Sequence, residues 1–263
     1  MHLYSRRVTG SDDADLGFDP LALEGDAGEA AADEGSALFP LAADFPPSLM
    51  AEFSSRIDEP PDARVLVRVR DLEGLGRRLD AIMVLRQSLG EESGNVRLRV
   101  RLAELLEASG EEATALEELE DGIRATGGNA ALRVQRGALL GRIGRHAEAE
   151  EELKAAITMA PDSVDAVLHL GLSLLRRGRP SDALQELARA QSLDPQRADV
   201  AFHLGEAWYH AGQMERALQN LMRASELAPD DPRAYKLLGR LLDRMGRTEE
   251  AMVMHRKARE AGH

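Results

Sequence analysis

Two groups of side chains have the types and spacing to do chemistry. Arg97, Arg99, Arg101, Arg133, Arg136 and Arg142 form the first, within a chain where arginine outnumbers lysine thirty to three. A guanidinium fork grips a carboxylate through two parallel hydrogen bonds, so this set suits an acidic or carboxylate-bearing ligand. The second group is His169, Phe202, His203, Tyr209 and His210. His169 and His203 lie 34 residues apart, and His203 and His210 are two helical turns apart. Imidazoles so spaced could begin a metal site, but no residues complete a tetrahedral set. The expectation is therefore hydrogen bonding and rigid aromatic contact, with no metal and no other cofactor.

Catalytic chemistry finds little support. The chain has no cysteine, which removes disulfides, thiolate zinc sites and a cysteine nucleophile together. It also lacks a phosphate loop, a Gly-x-Ser-x-Gly elbow and a His-Glu-x-x-His pair. The sequence predicts no catalytic residues and no enzyme.

The elements that must position these side chains are set by a period. The run from Val164 to Pro195 reappears 34 residues later, so that Gly171, Leu187, Ala190 and Pro195 become Gly205, Leu221, Ala224 and Pro229. One glycine column is unbroken through Gly76, Gly110, Gly144, Gly178, Gly212 and Gly246. A fixed period of this length marks one supersecondary unit copied along a solenoid, each copy burying its apolar face on its neighbours. Each unit reads as a helix, a tight turn carrying the glycine, and a second helix. Pro161, Pro195 and Pro229 stop the second helices, because proline cannot continue them. The fold class is all-α: a right-handed α-solenoid of tandem helix-turn-helix repeats, preceded by a disordered acidic N-terminal segment.

These residues resemble tetratricopeptide repeats. The likeness rests on Leu170-Gly171, Leu204-Gly205 and Leu238-Gly239 in the first helices, with large residues following at Leu174, Trp208 and Leu242. Small residues open the second helices at Ala183, Ala217 and Ala251, and Pro195 and Pro229 close the units. It covers residues 62–263 as six repeats: 62–95, 96–129, 130–163, 164–197, 198–231 and 232–263. The earlier units are more degenerate, with Arg68-Val69 and Leu102-Ala103 in place of Leu-Gly, and are counted through the glycine column and Ala81, Ala115 and Ala149.

The resemblance implies that first helices line a concave channel, where an extended peptide or partner helix lies. On that layout the first helices of the second and third units carry net charge +4 and their second helices −7. The result is a basic channel with an acidic back. The partner-binding residues expected are Arg70, Arg97, Arg101 and Arg136 toward the N-terminal half, and Leu168, His169, Leu172, Phe202, His203, Glu206, Tyr209 and His210 toward the C-terminal half. Exposed ion pairs contribute only about 0–1 kcal/mol each, so the arginines would need those apolar anchors. The carboxylate clamp of co-chaperone arrays is disfavoured, because the matching columns hold Leu66, Arg70, Arg101, Ala131 and Gln135, with no asparagine. An RNA-reading array would show a base-reading pair in each unit and a basic surface, and neither is evident.

The chain carries net charge −13, of which residues 1–61 contribute −10 and the repeats −3. Acidity concentrated in the tail argues against nucleic acid as the tail's partner, and no nucleic-acid partner is expected. Residues 1–46 mix acids, glycine and proline without a sustained period, a composition that buries too little apolar surface to offset chain entropy. Two clusters in it, Phe18 and Leu21, and Phe39, Leu41 and Phe45, form a candidate docking motif for a groove. Within residues 47–61, Leu49, Met50, Phe53 and Ile57 follow Pro46-Pro47 at helical spacing, which predicts a short helix capping the first repeat. Ser5-Arg6-Arg7 is not followed by an apolar run, and no 18-residue apolar stretch exists, so neither export nor a membrane span is expected, and the predicted location is cytoplasmic.

The function predicted is a protein-interaction scaffold or adaptor that binds an acidic peptide or a helix of another protein, modulated by its own acidic tail. Two alternatives are a structural subunit that self-associates end to end through the cap and the Met252 to Met254 end, and an accessory that presents substrate to an enzyme.

Overall fold

A computed structural model describes residues 60–262. Twelve α-helices and no strands are found among them, in the order α1 (Pro61–Gly74), α2 (Arg78–Glu91), α3 (Val96–Ala108), α4 (Glu112–Ala125), α5 (Ala130–Arg142), α6 (His146–Met159), α7 (Val164–Arg176), α8 (Pro180–Leu193), α9 (Ala198–His210), α10 (Met214–Leu227), α11 (Pro232–Arg244) and α12 (Thr248–Glu260). The acidic stretch 1–46 with its docking motif (Phe18, Leu21, Phe39, Leu41, Phe45), and the cap helix around Ser48 to Ile57, lie outside the described residues.

Local chemistry fixes each helix end. Asn95, Asn129, Ser163 and Asp231 accept backbone N–H bonds at the starts of α3, α5, α7 and α11. Within each pair the first helix ends at a glycine with φ between 72° and 86°, a region closed to most other residues. In the α7–α8 turn Gly178 N–H donates to the Leu175 carbonyl and Arg179 N–H to the Leu174 carbonyl, both at 3.0 Å. The crossed pair satisfies two carbonyls that would otherwise lack partners. The second helices have no side-chain N-cap. Instead Arg77, Arg145, Arg179 and Arg247 stand at their starts and pair with an acid three residues on, Asp80, Glu148, Asp182 and Glu250. Each acid also sits in the first turn, where the helix dipole favours it.

Packing then follows from small residues facing large ones. A Cβ added at Gly171 would stand 2.8 Å from Leu187 Cγ, and one at Gly205 the same distance from Leu221 Cγ. Only glycine lets these helix pairs approach so closely. In the last pair His255 occupies the leucine position: its ring packs on Gly239, and its Nε2 lies 2.9 Å from Asp243 Oδ2. Arg99 makes a similar use of Gly122, its side chain filling the space a Cβ there would need and donating to the Ser93 carbonyl at 2.9 Å.

Every helix packs on the next in the chain, and successive first helices also pack on one another, which no two second helices do to a comparable extent. The first helices therefore line the narrower, inner side of the array. Neighbouring units are also joined by charge. Glu150 of α6, only 5% exposed, accepts from Lys154 at 2.6 Å, from Arg179 at 3.1 Å and from Arg177, the last two lying in the next unit's turn.

Candidate partner-binding groove

The inner side opens into a groove of about 620 Å³ between the C-terminal halves of α7 and α9. Leu172, Leu175 and Arg176 of α7 form one wall; His203, Glu206 and His210 of α9, with Ala211, form the other; Gly178 and Pro180 close it at the turn. The period explains this meeting. Leu172 and Glu206 share a column 34 residues apart, as do Arg176 and His210, so adjacent first helices place them side by side.

Electrostatics within the groove are coupled. His203 Nδ1 lies 3.2 Å from Glu206 Oε2. That hydrogen bond, with the charges of His203, His210 and Arg240, holds the Glu206 carboxyl below the usual range. His203 also meets the Phe202 ring edge-on, and His210 meets Tyr209 likewise, with centroids 5.1 and 5.6 Å apart. The Arg244 guanidinium lies 5.6 Å from the Tyr209 ring centre and that of Arg233 5.1 Å from the Phe202 ring centre. His169 of α7 is largely desolvated, and that burial, aided by nearby Arg142, pushes its pKa down to about 4. It is neutral at physiological pH.

Of the residues expected from the sequence, the structure brings Leu172, His203, Glu206 and His210 together in the groove, with Tyr209 beside them. Leu168 and Phe202 are a correction. They are 3% and 9% exposed and belong to the core between units, because a first helix is buried on more than one side.

The open basic channel over the N-terminal half is a second correction. Arg97 is bound to Asp62 at 2.8 Å, and Arg101 to Glu104 at 2.6 Å and to Glu73. Arg136 reaches outward between Glu120, at 2.9 Å, and Glu152. Arg99 meets Glu118 at 3.1 Å, Arg133 meets Glu152 at 2.9 Å, and Arg142 meets Glu107 at 2.6 Å. All six arginines thus already have carboxylates, three of them reaching to the second helices. Arg70 is exposed on α1, far along the chain from the groove.

The sequence reading missed Leu175, Arg176, Pro180, Arg240 and Arg244. A signal for most of them was present: Arg244 continues the column of Arg176 and His210, and Arg240 continues that of Leu172 and Glu206. Arg176 donates to the Gly141 carbonyl at 2.7 Å, and neither it, Arg240 nor Arg244 has an ion pair among the described residues. Those residues contain no group of three or more His, Asp or Glu able to hold a metal, and no helix long and apolar enough to cross a membrane.

Comparisons with known proteins agree with this architecture. No curated protein matches the chain. Among solved structures it is similar to PilF of Pseudomonas aeruginosa, with a TM-score of 0.62 and 21% identity over 73% of this chain and 87% of that one. It is also similar to MamA of Desulfovibrio magneticus RS-1, with a TM-score of 0.54 and 21% identity over 63% of this chain and 94% of that one. A thermophilic tetratricopeptide protein of Thermus thermophilus gives 0.56 and 22% over 63% and 90%. These likenesses concern the fold alone. One tetratricopeptide repeat model matches residues 74–141, 174–241 and 209–262, and a second matches 134–198. With its glycine-jointed helix pairs covered by those matches, the chain belongs to the tetratricopeptide repeat family.

Proposed function

We propose that this protein is a non-enzymatic scaffold or adaptor of the cytoplasm, holding a peptide or helix of another protein on its inner side. Tetratricopeptide repeats commonly mediate protein–protein interaction. The observation that supports this reading is the groove between α7 and α9, whose lining combines apolar Leu172, Leu175, Pro180 and Ala211 with Arg176, His203, Glu206 and His210. An apolar cleft with a few convergent polar groups is the usual form of a recognition site. Tyr209 beside it offers a rigid aromatic anchor. Arg97, Arg101 and Arg136 contribute less, since each would first have to give up a carboxylate it already holds.

Partner capture with wild-type protein and with Leu172→Arg and His210→Glu variants tests the reading. Both variants should lose the same partner while keeping their helical content. A partner set captured equally by all three would refute it. The acidic N-terminal stretch competes for the same groove in this reading, because it offers Phe18 and Phe39 among carboxylates at high effective concentration. Deleting residues 1–46 should then raise the captured partner's affinity, most at low salt. An unchanged affinity removes the tail from the mechanism.

A further inference from the structure

We propose that the groove and its flanking arginines recognise an acidic segment internal to the partner chain, with carboxylates toward both ends and an apolar side chain at its centre. This rests on the reading of the inner side as a partner-binding groove and adds a charge pattern to it.

The argument begins with which charges are free. The six N-terminal arginines are neutralised by carboxylates, as described above, and present little net charge to a ligand. On the C-terminal half the acids are the engaged partners: Asp165 and Asp199 are held by Arg197 at 2.9 and 2.5 Å, and Asp243 lies 2.9 Å from His255. Arg176 is bonded to a neutral carbonyl, and Arg244 is stacked on a ring. Arg240 senses Glu206 without an ion-pair contact among the described residues. Unspent positive charge on the first helices α7 and α11 is thus placed around the groove, with Arg70 on α1 lying apart from it.

The centre of the groove has the opposite requirement. Glu206 faces it, already holding His203. A ligand carboxylate arriving there would meet a like charge beside apolar side chains, which disfavours it. An uncharged apolar side chain on Leu172 and Leu175 fits instead.

Geometry sets the length. Arg176 stands on α7, and Arg240 and Arg244 stand on α11, two first helices further on. Packed helices lie about 8–10 Å apart, so the cations are separated by roughly 20 Å. An extended chain advances about 3.3 Å per residue and needs six or seven residues to span them. A single terminal carboxylate cannot reach both sets, so the carboxylates must be side chains at both ends of the segment and no free terminus is needed, which admits an internal segment.

Labelled synthetic peptides titrated against the full-length protein by fluorescence anisotropy test this. The probe is an end-blocked nonapeptide of three acids, Ala-Leu-Ala and three acids; its companions carry lysine for the acids, a free C-terminus, or aspartate for the central leucine. The acidic probe should bind, equally well with a free C-terminus, and more weakly as salt is added. Binding should fall at least tenfold in the Arg240→Glu/Arg244→Glu double variant and by a smaller factor in Arg240→Gln/Arg244→Gln, each shown to melt like wild type. The aspartate-centred peptide should bind poorly to wild type and recover in Glu206→Gln. Failure of the acidic probe to bind, unchanged binding in both arginine variants, or equal binding of the lysine peptide would overturn the charge pattern. Binding of the lysine peptide that Leu172→Arg abolishes would sink the pattern and leave the groove reading standing. Peptide binding of any sign that Leu172→Arg leaves untouched would overturn both.

Discussion

At the scale of the residue, His169 is a side chain whose chemistry the fold alters strongly. Its pKa of about 4 against an ordinary 6.5 means that the folded state binds fewer protons than the unfolded chain between those values. Its stabilising contribution is therefore complete above pH 6.5 and is lost as pH falls toward 4. At pH 4.5 the loss from this residue alone should be roughly 2–3 kcal/mol, from about 1.4 kcal/mol per unit. Urea unfolding at pH 7 and pH 4.5 should show His169→Gln losing less stability than wild type by that amount. An identical pH slope in the two proteins would contradict the burial argument. Glu206 sits in the same neighbourhood with its carboxyl held low by His203, so the groove keeps a negative charge at its centre well into the acid range.

At the scale of the element, the unit is two helices held at a distance that one missing methyl group permits. Alanine at Gly205 would bring its Cβ to 2.8 and 3.0 Å from Leu221 side-chain atoms and 3.1 Å from the Leu221 backbone nitrogen. Overpacking of this kind costs about 1–3 kcal/mol, partly offset by the helix propensity alanine gains, about 1 kcal/mol. Gly205→Ala should lose about 1 kcal/mol in denaturant unfolding. Gly90→Ala, in α2 with nothing within 4 Å of the added Cβ, should gain about 0.5 kcal/mol. Equal effects at the two sites would remove close approach as the reason for the glycine at 205. This level of organisation was legible in the sequence, because turn glycines, closing prolines and small-against-large columns act within one unit. The site was only partly so. The partners of Arg97 and Arg142 lie 35 residues away, in the preceding unit, and no period announces whether an arginine will meet a carboxylate there. Leu168 and Phe202 failed as channel residues for a related reason: a first helix touches its own second helix, the one before it and the next first helix, so several of its faces are apolar and periodicity does not say which looks inward.

At the scale of the whole molecule, the described array is a one-dimensional stack whose ends carry small apolar patches. Leu79 and Met83 on α2 are 71% and 60% exposed, in columns that hold alanine, serine or glutamate and mostly glutamate or glutamine in the other units. At the other end Met252 and Val253 are exposed, whereas Met254 is partly buried and packs against the core. A stable self-association buries on the order of 1,200–2,000 Å², far more than a few such side chains supply. Sedimentation from micromolar to submillimolar concentration should therefore find a monomer. A mass that grows with concentration would favour the end-to-end structural subunit instead. The six turn glycines, each bent into the same left-handed conformation, carry this logic into the groove itself. Its two walls face each other because of a phase relation between α7 and α9. One residue added inside α9, between His203 and His210, would turn the rest of that helix by about 100° and swing His210 out of the groove while His203 stayed. Adding or removing a whole unit would disturb no phase at all. Between the two walls the chain can therefore lengthen only by whole repeats, since a single residue added within α9 breaks the groove.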